Sequence, residues 1–124
     1  MVVKAVLEPT PSTVGVAIER IVKAVHPSRI VAFGSRAHGK PRRDSDVDLL
    51  VVLPGRSHRA DVSSDLYEVV GAVGFSKDIL ISNEEDFARL SASPNSVQGE
   101  AAREGVALYE NGRTDRVAIE KICR

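Results

Sequence analysis

The sequence predicts a mixed α/β sheet flanked by helices, and three features of the 124-residue chain indicate it. Strand-like apolar runs occur at Arg29 to Phe33, Val47 to Leu53 and Phe75 to Ile81, and they alternate with segments of helical periodicity. Leu49 to Leu53 is apolar at every position, as is typical of a strand that helices cover on both faces. The order strand, helix, strand over the last two runs predicts a parallel pair joined by a right-handed crossover.

The first helix is predicted to begin at Pro11 and to end at His26. Its apolar residues recur at i, i+4, i+7, i+8 and i+11, which places them on one face. They are Val14, Ile18, Ile21, Val22 and Val25. Thr10 is suited to cap the helix, and Pro27 stops it after His26.

A second helix follows the central strand, which Pro54 and Gly55 end. Its apolar residues repeat the spacing of the first helix. They are Val62, Leu66, Val69, Val70 and Val73. Gly71 and Gly74 then break the helix ahead of the third strand.

Two short helices are predicted after the third strand. Ser82 and Glu85 form a capping box for the first of them. Asn95 caps the second, which ends near Gly105. The acidic residues of these two helices are interpreted as solvated surface. They are Glu84, Glu85, Asp86, Glu100 and Glu104.

The two ends of the chain carry weaker patterns. Val2 to Leu7 suits either a short edge strand or a lead-in to the first helix. Val106 to Tyr109 predicts a last strand before the Asn111-Gly112 turn. Arg113 to Arg124 is then either a short helix or a loose end.

The composition limits the class of protein. An apolar content of 43% over 124 residues suits a single domain spanning residues 1–124. Seventeen basic and seventeen acidic residues cancel, so nucleic acid is not expected as a direct high-affinity partner. The only cysteine is Cys123, and no apolar run reaches the roughly 18 residues of a membrane span. We therefore expect a soluble, cytoplasmic protein with no membrane partner.

The stretch from Gly34 to Asp48, GSRAHGKPRRDSDVD, joins the first two strands and carries the strongest functional signal. Gly34 allows close backbone approach to a ligand, and Ser35 adds a hydroxyl, a combination that suits phosphate oxygens. Asp46 and Asp48 are two residues apart, so on an extended chain their carboxylates emerge on the same face. At roughly 4 Å they repel by about 1 kcal/mol in water and about 4 kcal/mol at a protein surface. A cation such as Mg²⁺, bound together with phosphates, would relieve this repulsion.

A third carboxylate, Asp78, interrupts the third strand beside Ile79. Burying it alone would be costly, so we expect it to meet a cation, a hydrogen-bond donor or water. A solvent-facing edge position or a local pair with Lys77 would also explain it. The acid pair upstream favours a catalytic role, with Asp44 as the alternative third acid.

Two other interpretations apply to the central loop. Gly34 to Lys40 reads G-x-x-x-x-G-K after a strand, which is a P-loop except that Pro41 lacks the last hydroxyl. The plainer alternative is a charged loop that is only solvated. The combination of glycine placement, acid spacing and flanking strands favours a nucleotide site over both.

Gly-Ser, ten residues and Asp-x-Asp between two strands resembles the signature of the polymerase-β-type nucleotidyltransferase superfamily, and most closely its small stand-alone members, the minimal nucleotidyltransferases. The motif similarity is strong from Phe33 to Leu53, moderate to Ile81 and weak outside. The resemblance implies the family's palm without accessory domains. The chain departs from the family pattern at His38, where an arginine is common.

In this family the Gly-Ser holds a triphosphate, and three acids bind two metal ions. Carried onto this sequence, the implied phosphate-binding residues are Gly34, Ser35, Arg36 and Arg42. The implied catalytic and metal-binding acids are Asp46, Asp48 and Asp78. The implied cofactors are two Mg²⁺ ions, or Mn²⁺ in their place, with ATP as the nucleotide donor.

The resemblance also implies a partner. Minimal nucleotidyltransferases commonly act as antitoxins, which pair with a small helical HEPN toxin and transfer AMP to one of its tyrosines. The implied protein is thus an adenylyltransferase that forms an oligomer with a HEPN-domain partner. The alternatives are an aminoglycoside-type small-molecule nucleotidyltransferase and a nucleotide-binding module that masks its partner without catalysis.

Overall fold

The computed structural model describes residues 8–39, 45–56 and 62–124, except the side chains of residues 62–64. The helices in these ranges are α1 (Pro11–Val25), α2 (Val62–Val70), α3 (Glu84–Leu90), α4 (Val97–Glu104) and α5 (Arg116–Cys123). The strands are β1 (Arg29–Phe33), β2 (Val47–Leu53), β3 (Lys77–Asn83), β4 (Val106–Glu110) and β5 (Arg113–Thr114). The predicted mixed α/β sheet flanked by helices is therefore confirmed. No helix of the described ranges is long and apolar enough to cross a membrane.

The sheet has the strand order β3-β2-β1-β4-β5. β2 pairs antiparallel with β1 and parallel with β3, which confirms the predicted parallel pair. Phe33 lies opposite Asp48 on one side of β2, and Asp78 lies opposite Asp48 on the other. The C-terminal end of β1 and the N-terminal ends of β2 and β3 therefore meet at one end of the sheet.

Helices cover both faces of the sheet, as the uninterrupted apolar run of β2 predicts. Leu49, Val51 and Leu53 pack in the larger cluster with buried residues of α1, α2 and α5. Leu50 and Val52 belong to a second cluster, which also contains residues of α3 and α4. Full burial of one such side chain contributes roughly 1.5–3 kcal/mol, so both faces hold β2 in place.

α1 forms with the predicted caps. The Thr10 hydroxyl accepts the N–H of Thr13 at 3.1 Å, and the Thr13 hydroxyl accepts the N–H of Thr10 at 2.9 Å. His26 adopts a left-handed conformation with φ 47°, and its N–H donates to the Val22 carbonyl at 2.9 Å. These bonds satisfy polar groups that the helix ends otherwise leave without partners.

The start of α3 differs from the sequence prediction. Asn83 caps this helix, since its side-chain oxygen accepts the N–H of Asp86 at 2.7 Å. Ser82, the predicted cap, is still paired in β3, and its buried hydroxyl accepts a hydrogen bond from Gln98 at 3.1 Å. Pairing with β2 continues to Asn83, which delays the point where the chain can turn into a helix.

The cap of α4 is also one residue later than predicted. Ser96, and not Asn95, accepts the N–H of Gly99, at 2.8 Å. The predicted end of the helix is confirmed, because the N–H of Gly105 donates to the Ala101 carbonyl at 3.0 Å.

α2 is shorter than its apolar pattern predicts. It ends at Val70, and Leu66 and Val70 are its buried apolar residues, whereas Val69 is 44% exposed. Val73 lies beyond the helix and packs against the core from the connection to β3. The side chain of Val62 lies outside the described residues.

β3 begins and ends two residues later than the predicted run from Phe75 to Ile81. Phe75 is buried in the core just before the strand. β3 is the first strand in the sheet order, so no strand among the described residues pairs with its outer edge. On it, the N–H of Ile79 donates to the Tyr67 hydroxyl at 2.7 Å.

The C-terminal segment is folded onto the core. Asn111 and Gly112 both have positive φ, as a tight hairpin turn requires, and they lead into β5, so β4 is not the last strand. Asp115 then caps α5 by accepting the N–H of Ala118 at 3.0 Å. Of the two predicted alternatives for the tail, the helix is the one that forms. The segment Val2 to Leu7 lies outside the described residues.

Candidate functional site

Two strand starts bring the three sequence-predicted acids together. Asp48 is the second residue of β2 and Asp78 is the second residue of β3, and the parallel register places them side by side. Asp46 comes two residues before Asp48, is exposed, and acts electrostatically on it. The three carboxylates therefore form one cluster at this end of the sheet.

Gly34 follows β1 directly beside this cluster. Its backbone has φ +75°, and a β-carbon at this position would collide with the carboxylate of Asp48. Glycine avoids both the backbone strain and the collision. The Gly34 carbonyl accepts the N–H groups of Ala37 at 3.1 Å and His38 at 3.2 Å. These bonds close the turn that carries the exposed Ser35.

The environment of the Asp48 carboxyl group disfavours its ionised form. Its pKa is raised from 3.8 to about 6, mainly by burial and then by the negative charges of Asp78, Asp46 and Glu100. A hydrogen bond with the Asp78 side chain is the smallest contribution. Desolvation and like charges both disfavour an ionised carboxylate. The described side chains thus leave an excess of negative charge at the start of β2.

Glu100 is a functional candidate that sequence reasoning missed. The sequence places it on a solvated helix surface, whereas the structure places it, half-buried, in the first turn of α4, where its charge acts on Asp48. No local signal marks this residue. Its approach to Asp48 depends on how α4 packs on the sheet.

The acids offer hard oxygen ligands of the kind that Mg²⁺ and Mn²⁺ prefer. Among the residues that the structure describes, no three His, Cys, Asp or Glu side chains are already grouped as ligands of one metal ion. The donor chemistry and the excess negative charge at Asp48 nevertheless fit a divalent cation. Asp46 and Asp78 are exposed, so packing does not prevent either carboxylate from turning toward a divalent cation.

Arg36 is the buried charge of the site, with only 4% of the residue exposed. Its Nε donates to the Ser45 carbonyl at 3.0 Å, and its Nη1 donates to the Ile122 carbonyl at 3.3 Å. These two bonds direct the guanidinium into the protein, whereas the motif resemblance implies a phosphate contact. Arg42, the other implied phosphate ligand, and Asp44 lie outside the described residues.

Four of the acids predicted as solvated surface have ion-pair partners among the described residues: Glu84, Glu85, Asp86 and Glu104. His38 Nε2 lies 2.7 Å from Glu104 Oε2, which ties the turn after β1 to the end of α4. Glu84 lies 2.8 Å from the Arg29 guanidinium, and its side chain is only 28% exposed. The solvated-surface prediction is therefore wrong for Glu84, because α3 packs it against β1.

The P-loop interpretation of the central loop is wrong in topology. A P-loop leads from a strand into a helix. Here β1 leads to β2, which pairs with it antiparallel as its direct neighbour. The same pairing brings the Gly-Ser turn and the aspartates together, and a P-loop would leave the aspartates without a role.

Comparison with known proteins agrees with this geometry. A protein-family model described as "Polymerase beta, Nucleotidyltransferase" matches residues 17–114. Among solved structures, a candidate nucleotidyltransferase from Sulfolobus solfataricus superimposes with a TM-score of 0.61 and 16% sequence identity. The match covers 84% of this chain and 83% of that one, and at this identity it shows the fold alone. Among curated proteins, no sequence matches the chain.

Gly34→Ala should destabilise the protein more than Gly112→Ala does. Both glycines have a similar positive φ, +75° and +80°, but only Gly34 faces an obstacle, since nothing lies within 4 Å of a β-carbon at Gly112. The left-handed conformation alone costs about 1–2 kcal/mol. We expect that loss in Gly112→Ala and a clearly larger one in Gly34→Ala, measured by urea unfolding at pH 7. Equal losses would contradict the close approach to Asp48.

Asp48→Asn should stabilise the metal-free protein at neutral pH. The folded pKa of about 6 lies above the ordinary 3.8, so the stability of the wild type falls as the pH rises between these values and stays lowered above them. Solvent screening reduces the effect, and we expect a gain on the order of 1–2 kcal/mol at pH 7 and none at pH 3. Unfolding in EDTA across this pH range measures it, with the exposed carboxylate variant Glu68→Gln as the control. A loss of stability at pH 7 would contradict the strained acid cluster.

Proposed function

Because the chain belongs to the polymerase β nucleotidyltransferase family, we propose that it transfers a nucleoside monophosphate from a nucleoside triphosphate to an acceptor hydroxyl, with release of pyrophosphate. The observation that carries the proposal is the row formed by the Gly34 turn, Asp48 and Asp78 at one end of the sheet. It sets a phosphate-binding turn directly against carboxylates. We assign Asp46, Asp48 and Asp78 as the catalytic acids.

The proposed roles follow from the chemistry of each group. The backbone N–H groups of Gly34 and Ser35 and the Ser35 hydroxyl bind the terminal phosphates. Asp46, Asp48 and Asp78 would hold divalent cations, which supply charge neutralisation at the triphosphate. The acceptor oxygen attacks the α-phosphorus, the bond to pyrophosphate breaks, and Asp78 accepts the hydroxyl proton.

The surroundings of Asp78 support one class of acceptor. Leu80 follows on the same face of β3, about 6.6 Å along the strand, and is 42% exposed. A hydroxyl held at Asp78 would thus have an apolar surface next to the group that carries it. This favours a tyrosine side chain over the polyhydroxylated, cationic rings of an aminoglycoside.

The most specific form of the proposal is AMP transfer from ATP to a tyrosine of a HEPN-domain partner, with the protein acting as its antitoxin. The exposed Leu80 supports the aromatic acceptor. The nucleobase, the partner and the antitoxin role rest on the resemblance of the Gly-Ser and Asp-x-Asp motif to minimal nucleotidyltransferases. Mass spectrometry of proteins that co-purify with the chain tests the partner, because AMP on a tyrosine adds a defined mass.

Asp46→Asn and Asp78→Asn should separate binding from chemistry. Asp46 is assigned to the triphosphate-bound cation, so its loss should weaken Mg·ATP binding and abolish transfer. Asp78 is assigned to the acceptor side, so its loss should leave Mg·ATP binding within about 3-fold and slow transfer by about 10²- to 10⁴-fold. Calorimetry with Mg·ATP and single-turnover transfer from α-labelled ATP to the co-purified partner measure both, with Asp65→Asn as an exposed control. Tight partner binding by a wild type that transfers nothing would favour the binding module instead.

Leu80→Ser should weaken use of the acceptor while Mg·ATP binding stays unchanged. Loss of an apolar surface beneath an aromatic ring should lower kcat/KM for the protein acceptor by about 10-fold, since about 25 cal/mol is lost per Å² of apolar contact. Val117→Ser is the matched control, because Val117 is 74% exposed on α5. Faster transfer to kanamycin than to a tyrosine-bearing partner, unaffected by Leu80→Ser, would overturn the tyrosine assignment.

A further inference from the structure

We propose that Arg36 is a positioning residue that builds α5 into the candidate active site, in place of the phosphate ligand that the motif implies. The inference rests on the proposed nucleotidyl transfer for its kinetic readout. The proposal gives α5 a part in catalysis. This helix begins at Arg116 and therefore lies outside residues 17–114, which the family model matches.

Arg36 connects three parts of the chain. It lies two residues after Gly34, in the turn that carries Ser35. Its Nε bond reaches the carbonyl of Ser45, the residue before Asp46, at 3.0 Å. One planar side chain therefore spans the interval between the phosphate-binding turn and the first of the acids. Its Nη1 donates to the carbonyl of Ile122 at 3.3 Å.

The bond to Ile122 is chemically directed. The last carbonyls of a helix have no partners within it, and the negative end of the helix dipole attracts a cation. The Arg36 charge also acts on the neighbouring Cys123: burial raises the pKa of this thiol, and the guanidinium partly offsets the rise. The last turn of α5 is thus well suited to accept a hydrogen bond from the Arg36 guanidinium.

Burial makes this arrangement rigid. Arg36 is only 4% exposed, so its guanidinium must keep its hydrogen-bond partners, because an unpaired buried charge is very costly. α5 is itself fixed, since Ile119 and Ile122 are buried in the larger core cluster. Arg36 and α5 therefore connect the turn that holds Ser35 to the protein core. Displacement of the last turn of α5 would displace the turn and the approach to Asp46.

The two roles of Arg36 predict different kinetics. A phosphate ligand contributes to Mg·ATP affinity, whereas a positioning residue affects mainly the rate, because misplacement by about 1 Å can cost about 100-fold. We expect Arg36→Met to lower the single-turnover transfer rate at saturating ATP by about 10- to 100-fold. The Kd of Mg·ATP should rise by a smaller factor than the rate falls, because the displaced turn keeps its phosphate-binding groups. Arg36→Lys, which keeps a charge and one donor, should recover part of the rate.

The coupling to α5 is tested by a matched pair of core variants in the full-length chain. Ile122→Ala loosens the last turn of α5, and Ile18→Ala removes an equally buried isoleucine from α1. Ile122→Ala should slow transfer by a larger factor than it weakens Mg·ATP binding, and its effect on the rate should not multiply with that of Arg36→Met, because both break the same link. Ile18→Ala should leave the rate per folded molecule unchanged. If either alanine variant does not fold, valine at the same position replaces it.

The remaining outcomes would contradict either the positioning role of Arg36 or the proposed nucleotidyl transfer. A Kd for Mg·ATP raised 10-fold or more by Arg36→Met, with an unchanged rate at saturation, would identify a phosphate ligand and overturn the positioning role. Multiplicative effects of Arg36→Met and Ile122→Ala would overturn the coupling. If the wild type transfers nothing, the proposed function fails. The coupling between Arg36 and α5 is then measured from the unfolding midpoints of the same variants. Additive midpoint shifts would overturn it there too.

Discussion

The pairing of β2 on both of its sides is the constraint on which the candidate site depends. A shift of one residue in either ladder would exchange the side chains of the two buried faces of β2, which would disrupt the packing of both clusters and turn the Asp48 carboxylate toward the face that holds Leu49. The register is therefore fixed, and Asp48 is fixed with it. The antiparallel ladder positions Gly34, and the parallel ladder positions Asp78. The two sides of the site are therefore positioned independently against β2.

The site is locally unfavourable, and the rest of the fold tolerates it. Asp48 carries a carboxyl group whose pKa burial and neighbouring negative charges raise to about 6, and Gly34 holds a backbone conformation that other residues rarely adopt. Neither feature stabilises the chain. The apolar clusters on both faces of the sheet offset them, which is the usual relation between a strained functional site and its scaffold.

The sequence predicts those features whose signals are local. Thr10 and Pro27 bound α1, and the uninterrupted apolar run gives β2 with the correct limits. The clustering of Asp48 with Asp78 follows from a parallel pair, which the strand-helix-strand order predicts. β3 and the cap of α3 are displaced because strand pairing, and not the capping pattern, decides where a strand stops.

The features that the sequence does not predict join distant residues. Glu100 reaches Asp48 only through the packing of α4, and Arg36 reaches the Ile122 carbonyl across 86 positions. A sequence also carries no signal for which backbone carbonyl will accept a hydrogen bond from a distant side chain. Arg36 therefore suggests a phosphate ligand when only the Gly-Ser motif is considered, and its burial becomes visible only once α5 is in place.

The Tyr67 hydroxyl on the edge of β3 has a consequence for how this protein meets other chains. The unpaired edge of a sheet is a template with which a foreign strand can pair, and in the described part of the sheet β3 is an edge strand with Asp78 near its start. By accepting the N–H of Ile79, Tyr67 occupies the backbone donor next to Asp78. Sheet extension is thus blocked where it would cover the carboxylates. A strand added at this position would first have to displace the Tyr67 hydroxyl from the N–H of Ile79.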